Sequence, residues 1–209
     1  MPAALLPKDE VLGRLAGVFR TYSYEGATLA RLSEATGLGR ASLYHYFRDG
    51  KEGMARAVLE QAGGAMQERV LAPLQGPGTP RERVEAMARG LDIFYADGTQ
   101  ACLLGLLSIG DGQALFGEAV RASLCRWVDA VAAVVAEAGL DRDAARDRAE
   151  DMVSAIQGAL VMSRAQGCAG AFKRLVATLP ERLLASTAVD GPAQPVRRAA
   201  KGGPGTKGS

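Results

Sequence analysis

Apolar side chains return at helical intervals along most of the chain, while strict two-residue alternation is scarce. Between Lys8 and Tyr22, the positions Val11, Leu15, Val18, Phe19 and Tyr22 fall on one face of an amphipathic helix. Tyr24-Glu25-Gly26-Ala27 interrupts that stripe. Thr28 then stands as an N-cap for a short helix over Leu29 to Thr36, which ends at Gly37. A third short helix spans about Gly39 to Phe47. Beyond Arg48-Asp49-Gly50 a longer helix carries Met54, Val58, Ala62, Ala65 and Met66 towards Pro73, and it can connect two domains. Gln75-Gly76-Pro77-Gly78 is dense in turn formers, and Thr79-Pro80-Arg81-Glu82 has the form of a capping box with proline at the first helical position. The spacing therefore predicts a domain boundary between the connecting helix and Thr79.

The second part begins with a stripe of Val84, Met87, Ala88, Leu91, Phe94 and Tyr95, broken near Asp97-Gly98 and followed by a short apolar piece from Cys102 to Ile109. Asp111 is placed to cap a long helix ending at Gly139, with Val120, Leu124, Trp127, Val128, Val131 and Val135 on one side. Asp141 is placed to cap the next, which runs to about Gly167. In that second long helix Ala145, Ala149, Met152, Ile156 and Leu160 share a face, and Ala155, Gly158 and Ala159 keep its surroundings small enough for close approach. Two such helices can form a four-helix bundle with their copies in a second subunit. A last segment, Phe172, Leu175, Val176 and Leu179, meets Pro180 and resumes at Leu183 and Leu184. The Gly-, Pro- and Ala-rich residues 187–209 are expected to be a disordered tail.

Composition agrees with this helical reading: of 209 residues 48% are hydrophobic but only 5% aromatic. The fold class that follows is all-α, with a three-helix domain, two of whose short helices form a helix-turn-helix, and its connecting helix over 1–72, and a larger helical domain over 79–186. No stretch approaches the ~20 uninterrupted apolar residues that span a bilayer, and Met1 to Pro7 has no basic start before an apolar core. A cytoplasmic protein is the expectation. Cys102, Cys125 and Cys168 are odd in number and widely spaced, which suits reduced structural thiols better than a disulfide framework. The net charge of +2 changes little, because the tail from Thr187 carries four cations against Asp190, or +3, and leaves −1 on the rest of the chain. DNA binding would have to rest on a few positioned cations.

The informative stretch is Thr28 to Phe47, TLARLSEATGLGRASLYHYF. Gly37 permits a tight turn between two short helices, Ser33 is small enough for them to cross, and Leu32, Leu38 and Leu43 are apolar anchors between them. The outer face of the second helix then offers Arg40, Ser42, Tyr44 and His45, donors and aromatics suited to phosphates and to base edges in a major groove. Tyr46 and Phe47 read as core aromatics of a small bundle, Tyr44 as a DNA contact. His45 is the only histidine, so a Cys-His nucleophilic pair would need a distant thiol against this helix. No Gly-rich phosphate loop follows a strand. Asp141, Asp143, Asp147, Glu150 and Asp151 alternate with Arg142, Arg146 and Arg148, as an ion-paired face does, so no metal or cofactor is expected. A helical enzyme with a cysteine nucleophile and a protein-binding helical adaptor are the other classes this fold class admits.

Leu43-Tyr44-His45-Tyr46-Phe47 followed by Lys51-Glu52 resembles the end of the recognition helix and the start of the next helix in the TetR family of bacterial regulators. The resemblance is detailed over roughly residues 8 to 68. It extends onward through helix lengths and order, and through Cys102-Leu103-Leu104-Gly105, which looks like a segment of the LmrA/YxaF-type subgroup. It implies that Thr28 caps the second helix and touches a phosphate, that Arg40, Ser42, Tyr44 and His45 face DNA, and that Lys51 reaches another phosphate. It further implies a homodimer, formed through the two last long helices, on a palindromic operator of double-stranded DNA. A small-molecule effector would enter a pocket among the middle helices and spread the two recognition helices away from a half-site spacing of about 34 Å. Phe94, Tyr95, Cys102, Leu106, Phe116, Leu124, Trp127, Gln157 and Met162 are pocket-lining residues on this reading or plain core on the other. A mostly apolar wall points to a hydrophobic effector.

Overall fold

In the computed structural model, which describes residues 6–185, the chain is a succession of helices with no strand among the described residues. The expected tail over 187–209 lies outside them. Helix α1 (Lys8–Gly26) buries Val11, Leu15, Val18 and Phe19 of its expected stripe, with Leu12 in addition, but leaves Tyr22 exposed; it carries Asp9 and Glu10 in its first turn, where the helix dipole favours acids. It is interrupted at Ser23, whose φ of 58° breaks the helix one residue before the expected interruption. Helices α2 (Leu29–Thr36) and α3 (Arg40–Tyr46) follow, then α4 (Gly50–Met66). The first apolar cluster gathers these four helices around Leu15, Phe19, Leu32, Leu43, Met54 and Val58.

Helix α4 does not stop at its end. It widens into a π-helical stretch, Gln67–Leu71, and returns to a single α turn, α5 (Ala72–Leu74), before the Gly/Pro boundary. Helix α6 (Pro80–Phe94) starts with the capping box its sequence prescribes: Thr79 accepts from the Glu82 N–H, and the Glu82 carboxylate accepts from the Thr79 N–H at 2.8 Å. It crosses the π-helical stretch at Gly90. A Cβ on that residue would lie 1.8 Å from the Arg69 carbonyl oxygen, so the crossing is backbone against backbone and only glycine fits.

The remaining elements are α7 (Leu103–Leu106), the two long helices α8 (Gly110–Glu137) and α9 (Arg142–Gln166), and the short α10 (Gly170–Ala177) and α11 (Leu179–Leu184). Helices α8 and α9 pack lengthwise, and with α6, α10 and α11 they enclose a second cluster that includes Leu91, Trp127, Val131, Ile156 and Phe172. Asp141 caps α9, accepting from the Asp143 and Ala144 N–H groups, and Gly167 closes it with a left-handed φ of 61°. Asp111 does not cap α8. The residue ahead of that helix is Ile109, without a side-chain cap, and the Asp111 N–H instead donates to Glu25 Oε1 at 2.7 Å. A carboxylate from the end of α1 thus does what a local aspartate was expected to do.

The two clusters are not separated at the Gly/Pro boundary. Leu103 and Leu107, and Phe116 and Val120 from the start of α8, are buried in the first cluster, while Leu104 and Leu124 pack against both. If the crossing at Gly90 is as tight as this, Gly90→Ala should lower unfolding stability by at least ~2 kcal/mol, read as a fall in the urea midpoint. Gly64→Ala, on an exposed stretch of α4 with open space around it, should instead be neutral or stabilising by up to ~1 kcal/mol.

Candidate functional site

The stretch from Thr28 to Phe47 folds as two helices around a turn. Thr28 Oγ1 accepts from the Arg31 N–H at 3.3 Å and so starts α2; Gly37, at φ 69°, ends it in the left-handed conformation. Two hydroxyls stiffen the turn: Ser33 donates to the Leu38 carbonyl at 2.5 Å, and buried Thr36 donates to the Leu32 carbonyl at 2.7 Å. Ser33 is therefore a turn-holding residue as well as a small one. Leu32 and Leu43 are fully buried and Leu38 nearly so, which fixes α3 against α2 and α1 by its inner side.

With Leu43 and Phe47 turned inward, the opposite arc of α3 is left to solvent. Arg40, Ser42, Tyr44 and His45 are all exposed, Tyr44 by 45%. Tyr46 is half-buried beside buried Phe47, at 6.2 Å between ring centroids, so these two aromatics support the helix rather than its outer face. Thr28 is exposed at the head of α2. Lys51 behaves differently from the others: its ammonium donates to the Tyr24 carbonyl at 3.0 Å and sits 4.1 Å from the centroid of the Tyr24 ring, tying α4 to the end of α1. A lysine has three N–H donors, so this leaves it capacity for an outside acceptor.

A cavity of about 270 Å³ opens where the two apolar clusters meet. Phe94, Tyr95 and Cys102, expected to line a pocket, do line it. Tyr95 is fully buried and its hydroxyl donates to Cys102 Sγ at 3.4 Å; burial first, and the neighbouring thiol second, push the phenol well above its ordinary pKa and keep it neutral. Leu106 and Gln157 line a smaller adjoining cavity of about 130 Å³ that also touches Cys102, and there the Gln157 side-chain amide nitrogen has no hydrogen-bond partner.

The other expected lining residues lie elsewhere. Phe116 is in the first cluster, edge-on to Tyr24 at 5.5 Å, and Trp127 is in the core of the second. Leu124 packs between the clusters, and Met162 stands 47% exposed on α9. The resemblance placed their helices around a cavity, but it did not give each side chain its neighbour. The wall also contains residues that sequence reasoning passed over: Arg20 from α1, Leu59 and Met66 from α4, and Arg126 from α8. Of these only Met66 carried a signal, as a member of the apolar stripe of α4. Among the described residues no group of His, Cys, Asp and Glu is placed to hold a metal ion, and no helix is long and apolar enough to cross a membrane.

Comparison with known proteins bears on both halves of this arrangement. Residues 15–58 match the family model of bacterial regulatory proteins of the tetR family, and residues 80–178 match that of the LmrA/YxaF-like transcriptional regulator C-terminal domain. The HTH-type transcriptional repressor AcnR of Corynebacterium glutamicum is 32% identical over 127 residues, 58% of this chain and 66% of that protein. The chain thus matches just under two thirds of that relative's length. A structure of the TetR family regulator CifR, a cysteine mutant complexed with a 26-bp double-strand operator DNA, superposes with a TM-score of 0.67 at 25% identity, covering 88% of this chain and 99% of that one. A TetR regulator from Legionella pneumophila gives a TM-score of 0.70 over 86% of this chain and 98% of its own, and at 15% identity it shows a shared fold.

The division between inner and outer sides of α3 is directly testable by stability. Leu43→Ala should cost ~2–5 kcal/mol of unfolding free energy, whereas Tyr44→Ala should change it by less than about 1 kcal/mol. Equal costs in denaturant titrations would show that Tyr44 is a packing residue.

Proposed function

Since this chain belongs to the TetR family of DNA-binding transcriptional regulators, we propose that it is a homodimeric repressor which a small, mostly apolar effector releases from a palindromic operator. The observation that carries this reading is the exposed arc of Arg40, Ser42, Tyr44 and His45, held outward by an inner face that is fully committed to the core. Arg40, at the start of α3, enters a major groove first; Tyr44 and His45 follow one turn later, where rings and ring nitrogens meet phosphates and base edges. Thr28 and Lys51 contribute phosphate contacts on either side of α3. These contacts position the protein, and the α3 arc specifies the sequence.

In the same reading residues 1–72 carry operator contact and the connecting helix and lend Arg20, Leu59 and Met66 to the effector's cavity, and residues 79–186 complete that cavity and carry the contact with the second subunit. Helices α8 and α9 supply the dimer contact. Val161 and Met162 are 67% and 47% exposed on α9, and Leu115 is 41% exposed on α8, an apolar surface that a partner copy would cover. Release follows from differential affinity: an effector that prefers a wider separation of the two α3 helices disfavours the spacing of about one DNA turn, ~34 Å, between half-sites.

Selection of genomic fragments by the purified protein should return a palindromic site, and binding to it should weaken steeply with salt. Arg40→Ala and Tyr44→Ala should each lose roughly 1–3 kcal/mol of operator affinity if they touch base edges. If they touch only phosphate, Arg40→Ala should instead reduce the salt dependence by about one counterion, and Tyr44→Ala, which removes no charge, should weaken binding without changing that slope. Operator binding unchanged in both variants would sink the assignment of α3. Replacing Val161 and Met162 together by arginine should yield a monomer in sedimentation with greatly weakened operator binding; a dimer that persists would place the interface elsewhere.

A further inference from the structure

The geometry points to a small amphipathic carboxylate as the occupant of the 270 Å³ cavity, its anion on Arg20 with Arg126 at the mouth and its apolar body against α4 and Phe94. This deepens the effector-released reading above and rests on it for its regulatory meaning, but the chemistry comes from the cavity wall. Arg20 reaches the wall from α1 and is half-buried, without an ion pair among the described residues. Its Nε donates to the Ala101 carbonyl at 3.3 Å; a guanidinium has five N–H groups, so most of its donors remain for a ligand. Arg126 donates from Nη2 to Ser123 Oγ at 3.2 Å and likewise has no carboxylate partner. No Asp or Glu lines this cavity.

Two cations facing an acid-free cavity decide the sign of the ligand. An apolar neutral molecule would strip water from the Arg20 guanidinium and return nothing, and burial already disfavours its charge. A cation would be repelled. A carboxylate accepts two parallel N–H bonds from the planar fork and neutralises it. Apart from Gln67 and Ser123 the rest of the wall is mostly apolar, with Leu59, Ala62, Met66, Leu71, Phe94 and Leu103 placed to take the remainder of the molecule. Tyr95 and Cys102 are already bonded to each other, and Ser123 is bonded to Arg126 and to the Ala119 carbonyl, which leaves the Arg20 guanidinium as the charged donor of the inner wall, with the neutral Gln67 amide as a further polar group on it.

The position of Arg20 also says how such a ligand would be felt. Arg20 lies on the helix that packs against α2 and α4, and its bond to Ala101 joins that helix to the segment entering α7. A carboxylate that draws the guanidinium into the cavity competes with this link between the α3-bearing unit and the rest of the molecule. By reciprocity, an acid that weakens operator binding must itself bind less tightly to the operator complex by the same factor.

The test uses the full chain and isothermal titration with decanoate and 2-naphthoate, each against its neutral counterpart, decanol and 2-naphthol, and with decylammonium. Each acid is expected to bind at least about tenfold more tightly than its neutral counterpart, about 1.4 kcal/mol, and decylammonium not at all. Arg20→Met, which keeps length and apolar contact but removes the fork, should erase that preference by lowering acid affinity while leaving decanol within about twofold. Equal binding of acid and alcohol by the wild-type chain, no binding of any probe, or an undiminished preference in a folded Arg20→Met would each overturn the proposal. The wild-type comparison stands even if the variant does not fold. Operator binding in the same preparation separates the two readings: an operator-binding protein that does not prefer acids loses only the ligand class, whereas acid preference in a protein that binds no operator overturns the repressor reading and leaves the cavity chemistry standing.

Discussion

The contact between Gly90 and the Arg69 carbonyl sets the frame on which the rest of the molecule is built. Helix α4 belongs to the unit that carries α3, yet its π-helical continuation is what α6 crosses, with no side chain between the two backbones. A π-helical stretch inserts an extra residue into the turn and displaces carbonyls from their regular rows. Here the displaced segment meets a glycine, and α6 seats directly on it. The end of α6 then places Phe94 and Tyr95 opposite α4, and the cavity is the space that remains between them.

Helix α1 is the second structural link, and it works through polar side chains rather than close approach. Its apolar stripe holds the anchors of the two-helix turn, while its other side sends Arg20 to Ala101 and Glu25 to the start of α8. Lys51, folded back onto Tyr24, braces the same end of the helix. Helix α1 thus joins the α3-bearing unit to the elements around the cavity as a packed helix with specific polar contacts at one end. That is the kind of contiguous element through which two sites can bias one equilibrium.

Much of the candidate DNA interface was legible in the residues themselves. A capping threonine, a left-handed glycine and apolar anchors at helical spacing are local signals, because caps and turns are made within a few residues. For the same reason Thr79 and Asp141 cap the helices expected of them. Asp111 failed because its competitor was remote in sequence: Glu25 lies 86 residues away, and only folding brings it to that helix end. Lys51, which the resemblance implies reaches a phosphate, also meets the carbonyl and ring of Tyr24, a partner 27 residues away that no local pattern shows.

The cavity was the least legible part. Phe116, Leu124 and Trp127 satisfy helical periodicity as well as Phe94 and Tyr95 do, since periodicity reports which side of a helix is apolar and says nothing of what packs there. Arg20 was invisible for the opposite reason: a single cation on a helix is ordinarily solvated, and its significance comes from acid-free walls assembled from α4, α6 and α8. The sequence by itself thus determined most of the helices, the caps at Thr28, Thr79 and Asp141 and the outward arc of α3, all products of short-range hydrogen bonding and one-sided burial. Tertiary structure alone decided the shape and charge of the cavity and the contacts of α1 with it, because those depend on groups that no local pattern brings together.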